Sequence, residues 1–186
     1  MRYLVVIYLF LCSPVSGQSR WNPFAGVSVS MDAGGYFVGP SFLAGTDYRL
    51  KNKISASTYI QYFSARLNDT YLDGTVEKGK YKSLITAILL QTQLSKNDNK
   101  GFRGGIGIAF HSTKTQSEIN FDTTTTKRNI FTAAFRLGYY FSLGRKKIVI
   151  ELDAVGPHKY SEGTPPYQTD VTELLTQLSL GVKYVF

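Results

Sequence analysis

Apolar and polar residues change places at every second position along eight separate runs of the chain. Successive side chains of a β-strand point to opposite faces, so each run predicts a strand with one apolar and one polar or small face. The first, Phe24 to Asp32, sets Ala25, Val27, Val29 and Met31 against Gly26, Ser28, Ser30 and Asp32. In the second, Val38 to Leu50, Phe42, Ala44, Thr46, Tyr48 and Leu50 oppose Ser41, Leu43, Gly45, Asp47 and Arg49. The third, Ile54 to Arg66, sets Ile54, Ala56, Thr58, Ile60 and Tyr62 against Ser55, Ser57, Tyr59, Gln61 and Phe63. The fourth, Lys80 to Leu94, alternates less cleanly. Its apolar face is read as Leu84, Ile88, Leu90 and Leu94, which leaves Ser83, Gln91 and Gln93 together on the other.

Alternation sharpens in the second half. Phe102, Ile106, Ile108 and Phe110 oppose Arg103, Gly105, Gly107, Ala109 and His111. Next, Phe131, Ala133, Phe135, Leu137, Tyr139, Phe141 and Leu143 oppose Thr132, Ala134, Arg136, Gly138, Tyr140 and Ser142. Ile148, Ile150, Leu152 and Ala154 then oppose Lys147, Val149, Glu151 and Asp153. The last run, Leu174 to Phe186, places Leu174, Thr176, Leu178, Leu180, Val182, Tyr184 and Phe186 on one parity. A capped helix also fits its start, with Asp170 as N-cap and Glu173 at the third helical position. That helix would leave seven strands and an open edge, so the run is read as a closing strand. An even number of one-sided strands is what a closed antiparallel barrel requires.

The connections add independent information. Lys51-Asn52-Lys53, Ser95 to Lys100 and Gly144-Arg145 are compact and follow strands two, four and six. Asn68 to Gly79, Thr113 to Arg128 and Pro157 to Asp170 are long and polar and follow strands three, five and seven. Only Ala33 to Phe37 is short where a long link is expected. Short and long connections therefore gather at opposite ends of the barrel.

Were the apolar faces to meet lipid, they would have to stay uncharged across the middle of the membrane. They do, with Lys82 and Lys146 only at strand ends, where long stems reach the interface. Tyr48, Phe102, Phe141, Tyr184 and Phe186 gather toward one rim, and Tyr62, Phe110 and Phe131 toward the other. The inward set holds Asp32, Asp47, Arg49, Arg103, Arg136, Glu151, Asp153, Glu173 and Lys183. If Gly144-Arg145 is a two-residue hairpin, Leu143 pairs with Lys146. Arg136 then lies directly across from Asp153 with Glu151 on the diagonal, which predicts an interior ion-pair cluster centred on Arg136. Fillings of this kind in narrow barrels serve packing and hydrogen bonding.

Composition agrees with this reading. Charged residues make up 18% of the 186-residue chain, below the roughly 25% of soluble domains. The 13 Tyr, 12 Phe and 17 Gly favour strands over helices. A net charge of +8 raises nucleic acid as a partner, but the longest basic tract is Arg145-Lys146-Lys147 and no recognition motif accompanies it. Residues 1–17 read as a secretory signal peptide: Arg2, an apolar core from Tyr3 to Cys12, Pro14, then Val15-Ser16-Gly17 before cleavage. Cys12 lacks the small preceding residue that lipidation prefers, since Leu11 stands there. The barrel domain is then 18–186.

Catalytic material is sparse. His111 and Ser112 are adjacent on a strand and so point apart, which denies them a shared proton. His158 reads as a loop residue, and no metal-ligand or phosphate-loop motif is present. No catalytic, cofactor or metal residues are assigned.

The signal peptide, eight alternating runs, sorted loops and terminal Phe186 together resemble the small Gram-negative outer-membrane β-barrels of the OmpA/OmpX-like type. The resemblance covers Gln18 to Phe186, rests on pattern, and departs from OmpA in having no periplasmic domain after the barrel. It implies an all-β, eight-stranded up-and-down transmembrane barrel in the outer membrane, with long loops outside the cell. It further implies contact with outer-membrane lipid and lipopolysaccharide, recognition of the last strand by the barrel-assembly machinery, and envelope protein partners reached through the loops. The competing reading is a secreted, lipocalin-like barrel whose apolar set lines a ligand cavity.

Overall fold

The computed structural model describes residues 20–32, 35–51, 53–70, 76–95, 99–119, 122–143, 146–162, 169–173 and 175–186. The predicted signal peptide and Cys12 lie outside the described residues, as do the turn residues Gly144 and Arg145. The strands are β1 (Trp21–Asp32), β2 (Val38–Lys51), β3 (Ile54–Thr70), β4 (Val76–Gln93) and β5 (Lys100–Ile119). They continue with β6 (Asp122–Leu143), β7 (Lys146–Val155), β8 (His158–Glu162), β9 (Thr169–Glu173) and β10 (Gln177–Val185).

Eight of these close into one barrel in the order β1-β10-β7-β6-β5-β4-β3-β2, while β8 and β9 form a separate two-stranded hairpin. Each barrel strand pairs antiparallel with its sequence neighbour, and β10 closes the ring on β1 from Phe24↔Val185 to Asp32↔Gln177. Closure leaves no unpaired edge, which hydrocarbon would penalise heavily.

The alternation sorts as predicted. Outward residues include Val29 (59% exposed), Ile108 (64%), Phe131 (79%) and Leu180 (59%), whereas Phe63, Ile85 and Lys183 inside are 0% exposed. Apolar out and polar in overturns the lipocalin-like alternative, which needs the opposite arrangement. Aromatic pairs mark both edges of the apolar belt. Trp21–Tyr48, Phe102–Tyr139 and Tyr184–Phe186 lie at the short-turn rim, with ring centroids 4.7, 5.0 and 5.0 Å apart. Phe110–Phe131, 5.0 Å apart, marks the other edge.

Three expectations change. The segments Asn68 to Gly79 and Thr113 to Arg128 are largely strand, because β3–β4 stay paired out to Thr70↔Val76 and β5–β6 out to Ile119↔Asp122, and the Pro157 to Asp170 link holds β8 and the start of β9, so His158 opens a strand and is not a loop residue. Both faces of these extensions meet water, so the hydrophobic alternation that reveals a strand vanishes while the backbone ladder continues. The run at Leu174 to Phe186 begins its strand only at Gln177. Thr176 is buried, its hydroxyl donating to the Val155 carbonyl at 2.9 Å, and Leu175 is exposed, so the parity read through them breaks there. Finally, Arg49 is exposed at the short-turn rim, where the barrel mouth lets it reach water.

The short first link has its own local cause. Gly35 takes a positive φ of 72°, its N–H donates to the Asp32 carbonyl, and the Asp32 carboxylate accepts from the Phe37 N–H at 2.8 Å. An Asp followed by a left-handed Gly is a compact turn, so no long loop is needed.

Candidate functional site

The interior is filled in layers, and strand register decides which side chains meet. The register of β6 with β7 carries Leu143↔Lys146 and Arg136↔Asp153, as the two-residue hairpin predicts. Arg136 donates from Nε and Nη2 to the two Asp153 oxygens at 2.5 and 2.9 Å, a two-pronged pairing. Its Nη2 also lies 3.5 Å from Glu151, and its guanidinium sits 4.3 Å from the centre of the Tyr59 ring.

The cluster is larger than the sequence suggests, and Glu151 rather than Arg136 is its hub. Glu151 meets Arg103 at 2.9 Å, Lys183 at 3.3 Å and Arg136 at 3.5 Å. Arg103 reaches on to Asp47 at 3.2 Å, and Lys183 lies 4.0 Å from Asp47. Three cations and three carboxylates therefore balance inside the wall. Lys183 also rests its ammonium 3.7 Å from the Phe24 ring centre. Asp47, Arg103 and Lys183 share the inward parity that the sequence reveals. Their joining to Arg136 depends on contacts across the barrel, which sequence spacing does not encode. Asp32 serves the first turn instead, and the Glu173 side chain lies outside the described residues.

A second layer, built of amide, hydroxyl and imidazole groups, lies toward the hairpin end. The Gln61 amide nitrogen lies 3.1 to 3.3 Å from the hydroxyls of Ser28, Ser30, Ser41 and Ser179 and shares its two N–H groups among them, so one side chain ties together four strands. Beside it the Ser83 hydroxyl donates to the Gln177 carbonyl oxygen at 2.7 Å and lies 2.8 Å from His111 Nε2. His111 Nδ1 is 3.2 Å from the Thr176 hydroxyl. His111 thus points away from Ser112 and toward Ser83, a partner on another strand. A Ser–His pair invites a nucleophile reading, yet both residues are 1% exposed and the hydroxyl proton goes to Gln177, so no substrate carbonyl reaches it. Above this layer Phe37, Phe63, Ala65 and Tyr81 pack together, with Phe37 and Tyr81 stacked at 5.2 Å.

At the short-turn rim a polar mouth of about 200 Å³ opens onto Asp47, Lys53, Gln91, Arg103, Tyr140 and Lys147. It ends against the ion network. Beneath it Tyr59, Ile85 and Leu89 are at most 2% exposed, so the mouth is a dead end among the described residues.

A closed antiparallel ring, an apolar belt facing out, aromatic edges and a polar interior meet the conditions for spanning lipid with strands. OprG of Pseudomonas aeruginosa, an outer membrane protein, superposes on this architecture with a TM-score of 0.62 at 14% identity, over 89% of this chain and 95% of OprG. The chain folds as an eight-stranded outer-membrane β-barrel. Neisserial surface protein A matches with a TM-score of 0.49 at 8% identity, over 91% and 98% of the two chains. Ail, the attachment invasion locus protein of Yersinia pestis, matches at 0.45 and 14% identity, over 89% and 97%. The fold assignment rests on the barrel geometry and on OprG. No family model matches the chain, and no curated protein sequence does.

Proposed function

We propose that this protein is a closed, non-enzymatic outer-membrane barrel that works through the surface of its projecting hairpins. The observation that carries the reading is a mismatch of heights. A membrane strand needs about 9–11 residues, and β5 and β6 have 20 and 22. Roughly half of each therefore stands beyond the apolar belt, as do the outer parts of β3 and β4. The interior below them is blocked by packed aromatics and the ion network, so the described residues leave no aqueous path for a porin-like role.

The projecting hairpins face the cell exterior in this reading, the arrangement usual for long connections of such barrels, with tight turns on the periplasmic side. Residues 1–17 would direct export and be removed after Gly17. Phe186 and the strand before it would be the segment recognised during assembly. The hairpins would supply the contact surface for an envelope or extracellular protein.

The test compares the full mature barrel with a variant in which residues 116–125 are replaced by Asn-Gly, so that Thr115 and Thr126, already paired, flank a tight turn. Both are expected to show faster migration on unheated gels and to give no discrete conductance steps in planar bilayers. Only the full chain is expected to retain co-purifying envelope proteins. Stable conductance steps from the full chain would overturn the closed-barrel reading.

A further inference from the structure

The outward face of the projecting strands carries a row of cations that the interior network and the hairpin reading leave unexplained. Cross-strand register places Lys82 opposite Lys114, and Lys114 opposite Lys127, in one line across β4, β5 and β6. One step further out, Lys80 sits opposite Arg66 on β3. All five lie on the parity that faces lipid lower down, where Tyr62, Leu84, Phe110 and Phe131 stand.

Directly opposed residues of an antiparallel pair have Cβ atoms about 4.5–5.5 Å apart, and like charges there are destabilising. Here three such opposed pairs occur together. Among the described residues none of the five is held in an ion pair. The nearest outward carboxylate in register, Glu118, stands opposite Lys78 farther along the hairpin. The row is also one-sided: toward the same end β1, β2, β7 and β10 present Met31, Val38, Ala154 and Leu178 outward. A self-repelling row of this kind is stable when anions sit against it.

The height of the row identifies the anion. Lys82 comes one outward position beyond Leu84, and Lys114 and Lys127 come two beyond Phe110 and Phe131. At about 3.3 Å per residue on a tilted strand, the row lies on the order of 5–10 Å past the aromatic edge. That is the thickness of the polar headgroup region flanking the hydrocarbon core. The outward parity of the three lysines turns them away from the barrel interior, and stems of that length let an ammonium group reach a headgroup phosphate at this height.

We infer that Lys82, Lys114 and Lys127, flanked by Lys80 and Arg66, form a docking strip for the phosphate groups of glycolipid headgroups in the outer leaflet. The inference rests on the hairpins facing the cell exterior. It gives the barrel a fixed side toward which phosphorylated glycolipid is ordered.

The test uses the full mature barrel folded in uncharged maltoside detergent. Three proteins are compared: the parent, K82Q/K114Q/K127Q, and R20Q/K51Q/K100Q, which removes the same charge from the opposite rim. Each is titrated with lipopolysaccharide, with the same glycolipid after enzymatic dephosphorylation, and with soluble heparin, and the temperature of the gel-mobility transition is read. Lipopolysaccharide is expected to raise the transition of the parent and the opposite-rim variant. Each lysine near an anionic surface contributes about fivefold in affinity, so the strip variant should bind roughly a hundredfold more weakly. Equal shifts in all three proteins would overturn the inference, as would dephosphorylated glycolipid working as well as the intact form. A larger response to heparin than to lipopolysaccharide would overturn it in favour of a soluble polyanion. Orientation is read separately, by labelling T124C in whole cells with an impermeant maleimide. Labelling only after lysis would overturn the outer-leaflet source, while the titrations report on the lysine strip by themselves.

Discussion

Replacing Arg136 by Met isolates the energetic logic of the interior. Met fills much of the space of the arginine stem, so the perturbation is chiefly electrostatic. Arg136 is fully buried, and it is the cation within reach of Asp153, which is itself 4% exposed at the side chain. Glu151 loses one contact but keeps Arg103 at 2.9 Å and Lys183 at 3.3 Å. The cost therefore falls on one carboxylate left buried without its partner, which is worth about 3–5 kcal/mol. Replacing the pair together, as R136M/D153L, removes one charge of each sign. Arg103 and Lys183 still balance Asp47 and Glu151, and an apolar pair of similar volume is about neutral relative to a buried ion pair. Folding into lipid vesicles across a urea series, read by gel mobility, measures both. At a slope of about 2 kcal/mol per M, R136M should lower the midpoint by roughly 2 M. The double variant should recover most of that loss. A single variant within about 0.5 M of the parent, or a double variant no better than the single, would refute the uncompensated-charge account.

Three further predictions follow from the wall and its closure. A Cβ at Gly107 would lie 1.9 Å from the Ile88 carbonyl oxygen and 2.7 Å from the Leu89 Cα, so Gly107→Ala should cost about 1–3 kcal/mol in the same urea series. Its neighbour Gly104 has nothing nearer than 3.8 Å, and Gly104→Ala should be neutral; equal costs would refute the close-approach explanation. Ile108 is 64% exposed within the belt, so Ile108→Arg should destabilise the vesicle-embedded barrel by about 2–4 kcal/mol, and a neutral result would move the belt elsewhere. Phe186 donates its backbone N–H to the Pro23 carbonyl at 3.0 Å but stays 53% exposed, with its ring edge-on to Tyr184. Removing Phe186 should lower the amount of folded barrel in cells while leaving refolding of the purified chain in detergent unchanged. An equal defect in both would make the residue a packing element and not an assembly signal.

Local chemistry determined a great deal. Period-two alternation depends only on the pleat, so it assigned the lipid and interior faces of residues such as Ile108, Phe135, Arg136 and Lys183 without any tertiary information. A two-residue hairpin transmits register along both its strands, which is why Arg136↔Asp153 was legible from Gly144-Arg145 alone. The signal failed where its physical source failed. Beyond the belt both faces of β3 to β6 are wet, and Thr113 to Arg128 therefore reads as loop although it is mostly strand. What only the closed barrel decided are the contacts made across the lumen and across several strands at once. Gln61 as the tie among four serines depends on the β1–β10 seam that closes the ring, while Glu151 as the shared partner of three cations and Ser83 as the neighbour of His111 depend on the register of strands that no single hairpin sets. The lysine row is of the same kind: Lys82, Lys114 and Lys127 are far apart in sequence and become one line only when three strands pair in register. Sequence parity specifies which wall a side chain leaves from; tertiary register specifies what it meets.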